Sequence, residues 1–148
     1  MDQADAGPMI TAIDTNVIAG LWNSDPAISL SAQRALDTAF KQGSLVISGP
    51  VFAELVAAPS RTEAFLNQFC EETGINTDFD LGEAIWRAAG RAFQAYALRR
   101  RKQREPGPRR ILADFLIGAH ASHHGYSLLT LDAQLYRSSF PGLTVVTV

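Results

Sequence analysis

Short β-branched or aliphatic runs alternate with stretches of helical periodicity along the whole chain, and this alternation leaves few architectures open. Strand character marks MITAI at 9–13, SLVIS at 44–48, INTD at 75–78, SLLT at 127–130 and LTVVTV at 143–148. Residues 27–42 place Ile28, Ala32, Ala35, Leu36, Ala39 and Phe40 at helical spacing and stop at Gly43. GPVFAELVAA forms a short helix closed by Pro59, and Ser60 with Glu63 has capping-box spacing ahead of the next one. A long helix carries Ile85, Ala89, Phe93, Tyr96 and Ala97, and helices at 111–124 and 132–139 complete the pattern. Strands separated by helices pair in parallel, because each crossover lays a helix over the sheet. The predicted fold class is therefore α/β, a three-layer α/β/α domain around a central, mostly parallel five-stranded sheet. It spans 9–148 as a single domain, with the small, polar and acidic residues 1–8 as a flexible tail.

In open parallel sheets, ligands bind beyond the C-terminal strand ends, near the point where strand order reverses. Asp14 directly follows the first strand and Asp132 the fourth, while Glu54 lies in the helix entered from the second. Asp114 sits in the first turn of its helix, where the dipole favours a carboxylate. Asp14 and Asp132 are equally compatible with plain helix caps. Glu54 within VFAELVAA and Asp114 within ILADFLIGAHA are harder to explain so, since an unpaired buried carboxylate costs several kcal/mol. Lysines are scarce, Lys41 and Lys102 alone, so a divalent cation is the economical counter-ion. Hard oxygen donors favour Mg²⁺ or Mn²⁺ over zinc.

Charge is unevenly spread. Residues 99–110 hold seven of the thirteen basic residues against one acid, a local charge of +6 that leaves −8 on the rest. Arg99, Arg100, Arg101, Lys102, Arg104, Arg109 and Arg110 form a strip suited to a polyanion, or else a solvated helix end. His120 and His124 stand four apart, a zinc-compatible spacing, but His120 lies about 240° round the helix from Asp114. They are read as surface or partly buried histidines, and the lone Cys70 as core. One cysteine, no apolar run near the roughly 18 residues of a membrane span, and no signal-peptide pattern lead us to expect a cytoplasmic protein without membrane attachment. Nucleotide-loop and serine-elbow motifs do not occur.

The segments ITAIDTNVI, PVFAELVAA, RRILADFLIGAHA and LLTLDAQLYRSSFPGLTVV, in this order, resemble those of PIN domains. More narrowly, they resemble the VapC toxins of toxin–antitoxin pairs, over essentially everything from Met9 to Val148. The resemblance implies a Mg²⁺-dependent endoribonuclease that cleaves by metal-activated water and leaves a 5′-phosphate. Its four-acid pattern falls on Asp14, Glu54, Asp114 and Asp132, with Asn16 and Thr130 in supporting roles. A cognate antitoxin and a homodimer are likewise implied. An inactive RNA-binding module of the same fold and a metal-dependent DNase stand as alternatives, since the preference for RNA rests on the family resemblance.

Overall fold

A computed structural model of the chain describes residues 9–59, 61–103 and 110–148. Ser60, the proposed tail at 1–8, and Arg104 and Arg109 of the basic strip lie outside the described residues. The elements run β1 (Met9–Ile13), α1 (Thr15–Leu21), α2 (Pro26–Gln42), β2 (Gly43–Ser48), α3 (Gly49–Val56) and α4 (Glu63–Thr73). They continue with β3 (Asn76–Asp78), α5 (Gly82–Gln103), α6 (Leu112–His124), β4 (Ser127–Thr130), α7 (Ala133–Ser139) and β5 (Val145–Thr147). All strands pair in parallel, in the order β3-β2-β1-β4-β5. This is the expected α/β class, with the sheet parallel throughout.

The strand order reverses between β1 and β4, the central pair of the switch point. Right-handed crossovers put the helices after β1 and β2 on one face and those after β3 and β4 on the other. Each face supplies half of the core. Ile13, Leu45, Ile47, Leu128 and Leu129 from the strands pack against Val17, Ile18, Leu55, Leu66, Ile85, Phe115 and Ile117 from the helices. Every residue of β4 is buried, Ser127 and Thr130 with Leu128 and Leu129, as in a strand covered on both sides. On the second face Phe115 stacks on Phe93, 4.8 Å between centroids, and meets Tyr96, joining α6 to α5.

Local signals explain the boundaries. Asp25 caps α2 through Ala27 N–H, with Pro26 in the first turn. The α4 cap is Thr62, whose hydroxyl accepts from Phe65 N–H at 3.0 Å, so this helix starts two residues later than the Ser60–Glu63 spacing implies. Cys70 is half-buried at the core margin, and burial pushes its thiol pKa up.

Gly43 both ends α2 and begins β2, directly beside Met9 of β1. A Cβ there would lie 1.8 Å from the Met9 carbonyl oxygen, so the turn from helix to strand needs glycine for close backbone approach. Gly90, exposed on α5, has nothing within 4 Å of the equivalent position among the described residues. We expect Gly43→Ala to lower stability by about 1–3 kcal/mol or more, as an overpacked site does. Gly90→Ala should raise it by about 0.5–1 kcal/mol through helix propensity. Urea unfolding midpoints of the two variants check both signs.

Candidate active site at the carboxyl ends of β1 and β4

Asp14 is the residue where β1 gives way to α1. Its backbone N–H still bonds to Leu129 O of β4 at 2.9 Å, which fixes the end of β1 against the neighbouring strand. Its side chain then divides. Oδ1 accepts from Thr15 N–H at 2.8 Å and caps α1, while Oδ2 accepts from the Thr130 hydroxyl at 2.7 Å. The cap and the site are thus one carboxylate, and the two sequence readings of Asp14 do not compete.

The loop after β4 is tied to the same place. Thr130 Oγ1 accepts from Asp132 N–H at 2.9 Å while it donates to Asp14, and Asn16 Oδ1 accepts from Leu131 N–H at 3.1 Å. Asn16 and Thr130 therefore brace the two loops against each other. From the side of α3, Glu54 reaches in and accepts from Thr15 Oγ1 at 2.6 Å. Asp114, in the first turn of α6, accepts from Ile111 N–H at 3.3 Å and so supports its own helix start.

Burial is distributed differently from the sequence expectation. Asp14 is the deeply buried acid, 5% exposed, whereas Glu54, Asp114 and Asp132 are half-buried. Apolar neighbours in sequence say little about which face of a helix a carboxylate occupies. Burial raises the Asp14 pKa to about 6, with the Asp114 charge adding to the rise and the Thr130, Tyr136 and Thr15 donors working against it. Burial also raises the Asp114 pKa, helped by the charge of Asp132 and opposed by Ile111 N–H and Arg110. Asp14, Asp114 and Asp132 thus share one electrostatic neighbourhood, and Glu54 joins it through Thr15, the residue next to Asp14.

Arg110 Nη1 donates a charge-assisted hydrogen bond to Asp132 Oδ2. Its backbone N–H bonds to the Tyr96 hydroxyl at 3.0 Å, and Arg100 donates to the same oxygen at 3.2 Å. Arg99, Arg100, Arg101 and Lys102 occupy the last turns of α5, so the described part of the strip is a helix end with Arg110 turned into the acid cluster.

One participant was not picked out from the sequence. Tyr136 on α7 is buried, and its hydroxyl lies beside Asp14 without a hydrogen bond of standard geometry. Burial and the charges of Asp14, Asp114 and Asp132 push its pKa well above the ordinary phenol range, so it stays a neutral donor facing three acids. Its position four residues after Asp132, on the same helical face, was the available signal.

These carboxylates, with hydroxyl and amide donors around them, form a hard oxygen set that fits a Mg²⁺-type cation. Asp14 carries the need most plainly: it is buried, repelled by a second acid, and bonded to neutral donors.

The fold has clear relatives. A chain of VapBC-1 from nontypeable Haemophilus influenzae superposes with a TM-score of 0.64 at 22% identity, covering 94% of this chain and 98% of that one. FitAcB from Neisseria gonorrhoeae gives 0.61 at 22% identity, with coverages of 91% and 95%. VapBC2 from Rickettsia felis, bound to a DNA fragment from its promoter, gives 0.60 at 19%, with 94% and 98% covered. No curated protein matches in sequence. The family model described as the PIN domain matches residues 11–141, a span that holds all four acids and the whole switch point. The chain belongs to the PIN domain family of nucleases.

Proposed function

We propose that this protein is a Mg²⁺-dependent endoribonuclease, the toxin of a toxin–antitoxin pair, acting in the cytoplasm on an RNA substrate. The observation that carries the reading is the buried carboxylate of Asp14 at the β1–β4 switch point, repelled by Asp114, which Asp132 repels in turn, with Glu54 linked to the same place through Thr15. The fold shared with chains of VapBC and FitAB complexes supports a cognate antitoxin as partner, and a homodimer is proposed from the family resemblance alone. Among the described residues no helix is long and apolar enough to cross a membrane.

In this reading Asp14, Glu54, Asp114 and Asp132 hold Mg²⁺, with Mn²⁺ as a substitute. The cation supplies Lewis acidity, making a water more acidic and offsetting phosphate charge. The chain's own residues do the rest. Thr130 and Thr15 N–H fix both Asp14 oxygens, so the ligand is oriented before any cation arrives. Thr15 does the same for Glu54. Tyr136 presents a neutral hydroxyl that steadies the Asp14 charge. Arg110 neutralises Asp132 and eases Asp114, and it is the described cation of the basic strip that reaches the acids. Arg99, Arg100, Arg101 and Lys102 then provide phosphate contacts along the end of α5, with Arg104 and Arg109 between them and Arg110.

Asp14→Asn, Glu54→Gln and Asp114→Asn are each expected to cost at least roughly 100-fold in RNA cleavage, more than a lost supporting contact costs. Asp132→Asn should cost less, because Asp132 already has Arg110 as counter-ion. Gel assays on purified, folded variants check this, with single-stranded DNA and EDTA alongside. Cleavage of RNA in Mg²⁺ with 5′-phosphate ends supports the proposal. Cleavage in EDTA, or ends bearing a 2′,3′-cyclic phosphate, contradicts it.

The raised Asp14 pKa has a consequence for stability without metal. A carboxyl titrating at about 6 when folded, against its ordinary 3.8, binds its proton more tightly in the folded state. The resulting stability is fully present below pH 3.8 and is lost as pH rises through about 6, to the order of 3 kcal/mol. Asp14→Asn removes this titration. Thermal melts in EDTA should therefore show wild type losing ground to Asp14→Asn between pH 4 and 6.5 or so, and Mg²⁺ should reverse the loss. A difference that does not move with pH would contradict the assignment.

Replacing Arg99, Arg100 and Arg101 with Ala should raise the KM for RNA, leave kcat little changed, and reduce the log–log salt slope by about 0.7 for each lost phosphate contact. Filter binding at several salt concentrations measures the slope. An unaltered slope with a lowered Tm would assign these arginines to capping α5 instead.

A further inference from the structure

The sequence reading set His120 and His124 aside because they do not face Asp114, and the structure supplies the third group that spacing along one helix could not reveal. Asp78, at the end of the edge strand β3, projects its Oδ2 to 2.9 Å from His120 Nε2 and 3.8 Å from His124 Nε2. One ligand atom from each residue lies within 4.8 Å of the other two. Bonds of about 2.0–2.1 Å to a tetrahedral cation place ligand atoms about 3.3–3.4 Å apart, so these separations bracket what one ion would impose. We propose that Asp78, His120 and His124 form a binding site for a zinc-class divalent cation, separate from the four-acid cluster.

Several features make this a prepared site. His120 is completely buried, so its ring has one approach, toward Asp78. His124 stacks on Tyr126, with centroids 5.0 Å apart and planes 19° from parallel, while Tyr126 also meets the edge of His120. Asp80 N–H donates to Asp78 Oδ1 at 3.0 Å, turning Oδ2 toward the imidazoles. Asp78 and His124 keep about a third of their side-chain surface, 29% and 33%, so an ion can enter from solvent. Burial and the neighbouring imidazoles of His120 and His123 lower the His124 pKa, against the charges of Asp78 and Asp80, leaving the neutral ligating form.

Two imidazole nitrogens and one carboxylate oxygen suit Zn²⁺, Co²⁺ or Ni²⁺, whereas the four-carboxylate cluster suits Mg²⁺. His120 is six residues beyond Asp114 on α6, about 9 Å along the axis, and on another face. A bound ion would join the edge strand β3 to the last turns of α6, so its effect falls on stability rather than on the chemistry at Asp14.

The test is calorimetric titration of untagged, metal-free protein with Zn²⁺, with wild type, Asp78→Asn, His124→Ala and Glu54→Gln compared. Wild type and Glu54→Gln should both bind one equivalent that excess Mg²⁺ does not displace. Asp78→Asn and His124→Ala should weaken that equivalent by at least about tenfold, since a lost ligand costs no less than a lost supporting partner. Zn²⁺ should also raise the Tm of wild type and not of His124→Ala, a partly exposed change that leaves the core intact. Equal Zn²⁺ affinity in all four proteins, or loss in Glu54→Gln alone, overturns the proposal. No Zn²⁺ binding by wild type also overturns it and leaves a His120–Asp78 hydrogen bond that ties β3 to α6.

Discussion

The hydrogen bond from the Thr130 hydroxyl to the buried Asp14 carboxylate joins the ends of β1 and β4, two strands far apart in sequence and adjacent in the sheet. Parallel strands leave their carboxyl ends side by side, and at the switch point the chain departs from them to opposite faces. Asp14 serves as strand terminus, helix cap and acceptor for the opposite loop at once, and Asn16 adds a second tie to Leu131. These ties hold the loop carrying Asp132 against Asp14 beyond what the β1–β4 pairing alone provides.

That bracing carries an electrostatic cost. A carboxylate is placed where water is excluded and other acids are near, and its neutral donors offset the penalty in part, as the remaining upward shift of its pKa shows. Arg110 relieves the rim of the cluster at Asp132 and does less for its centre. If a cation binds among these acids, as we propose, the site is less stable alone than with the ion in it, as a site arranged for binding and not for folding would be. Tyr136 fits the same logic: a hydroxyl held neutral by burial and by the charges of nearby acids can donate but cannot add charge.

Much of this was legible in the residues. Strand and helix periodicity carried the α/β class, because each period is local and each crossover is obligatory for parallel pairing. The acids at the ends of β1 and β4 could be placed from their position after the strands alone. Three other things depend on contacts between distant segments. The strand order is one, since adjacency of β1 and β4 is not written in either segment. The depth of each acid is another: Glu54 and Asp114 have the more apolar sequence neighbours, yet Asp14 is the one that is buried. Arg110 pairing with Asp132 and Asp78 meeting His120 are the third, with partners 22 and 42 residues apart. Tyr136 was readable in principle, as the residue one helical turn past Asp132.

The central claim is that the acids at the switch point act together as one divalent-cation site. Mn²⁺, a paramagnetic stand-in for Mg²⁺, reports this through the loss of its free-ion electron paramagnetic resonance signal as protein is added. Wild type should take up Mn²⁺ in competition with Mg²⁺, and Asp14→Asn and Asp114→Asn should each leave the ion free at the same concentrations. Uptake by both variants equal to that of wild type would contradict the account, because it would place the cation somewhere other than among these acids.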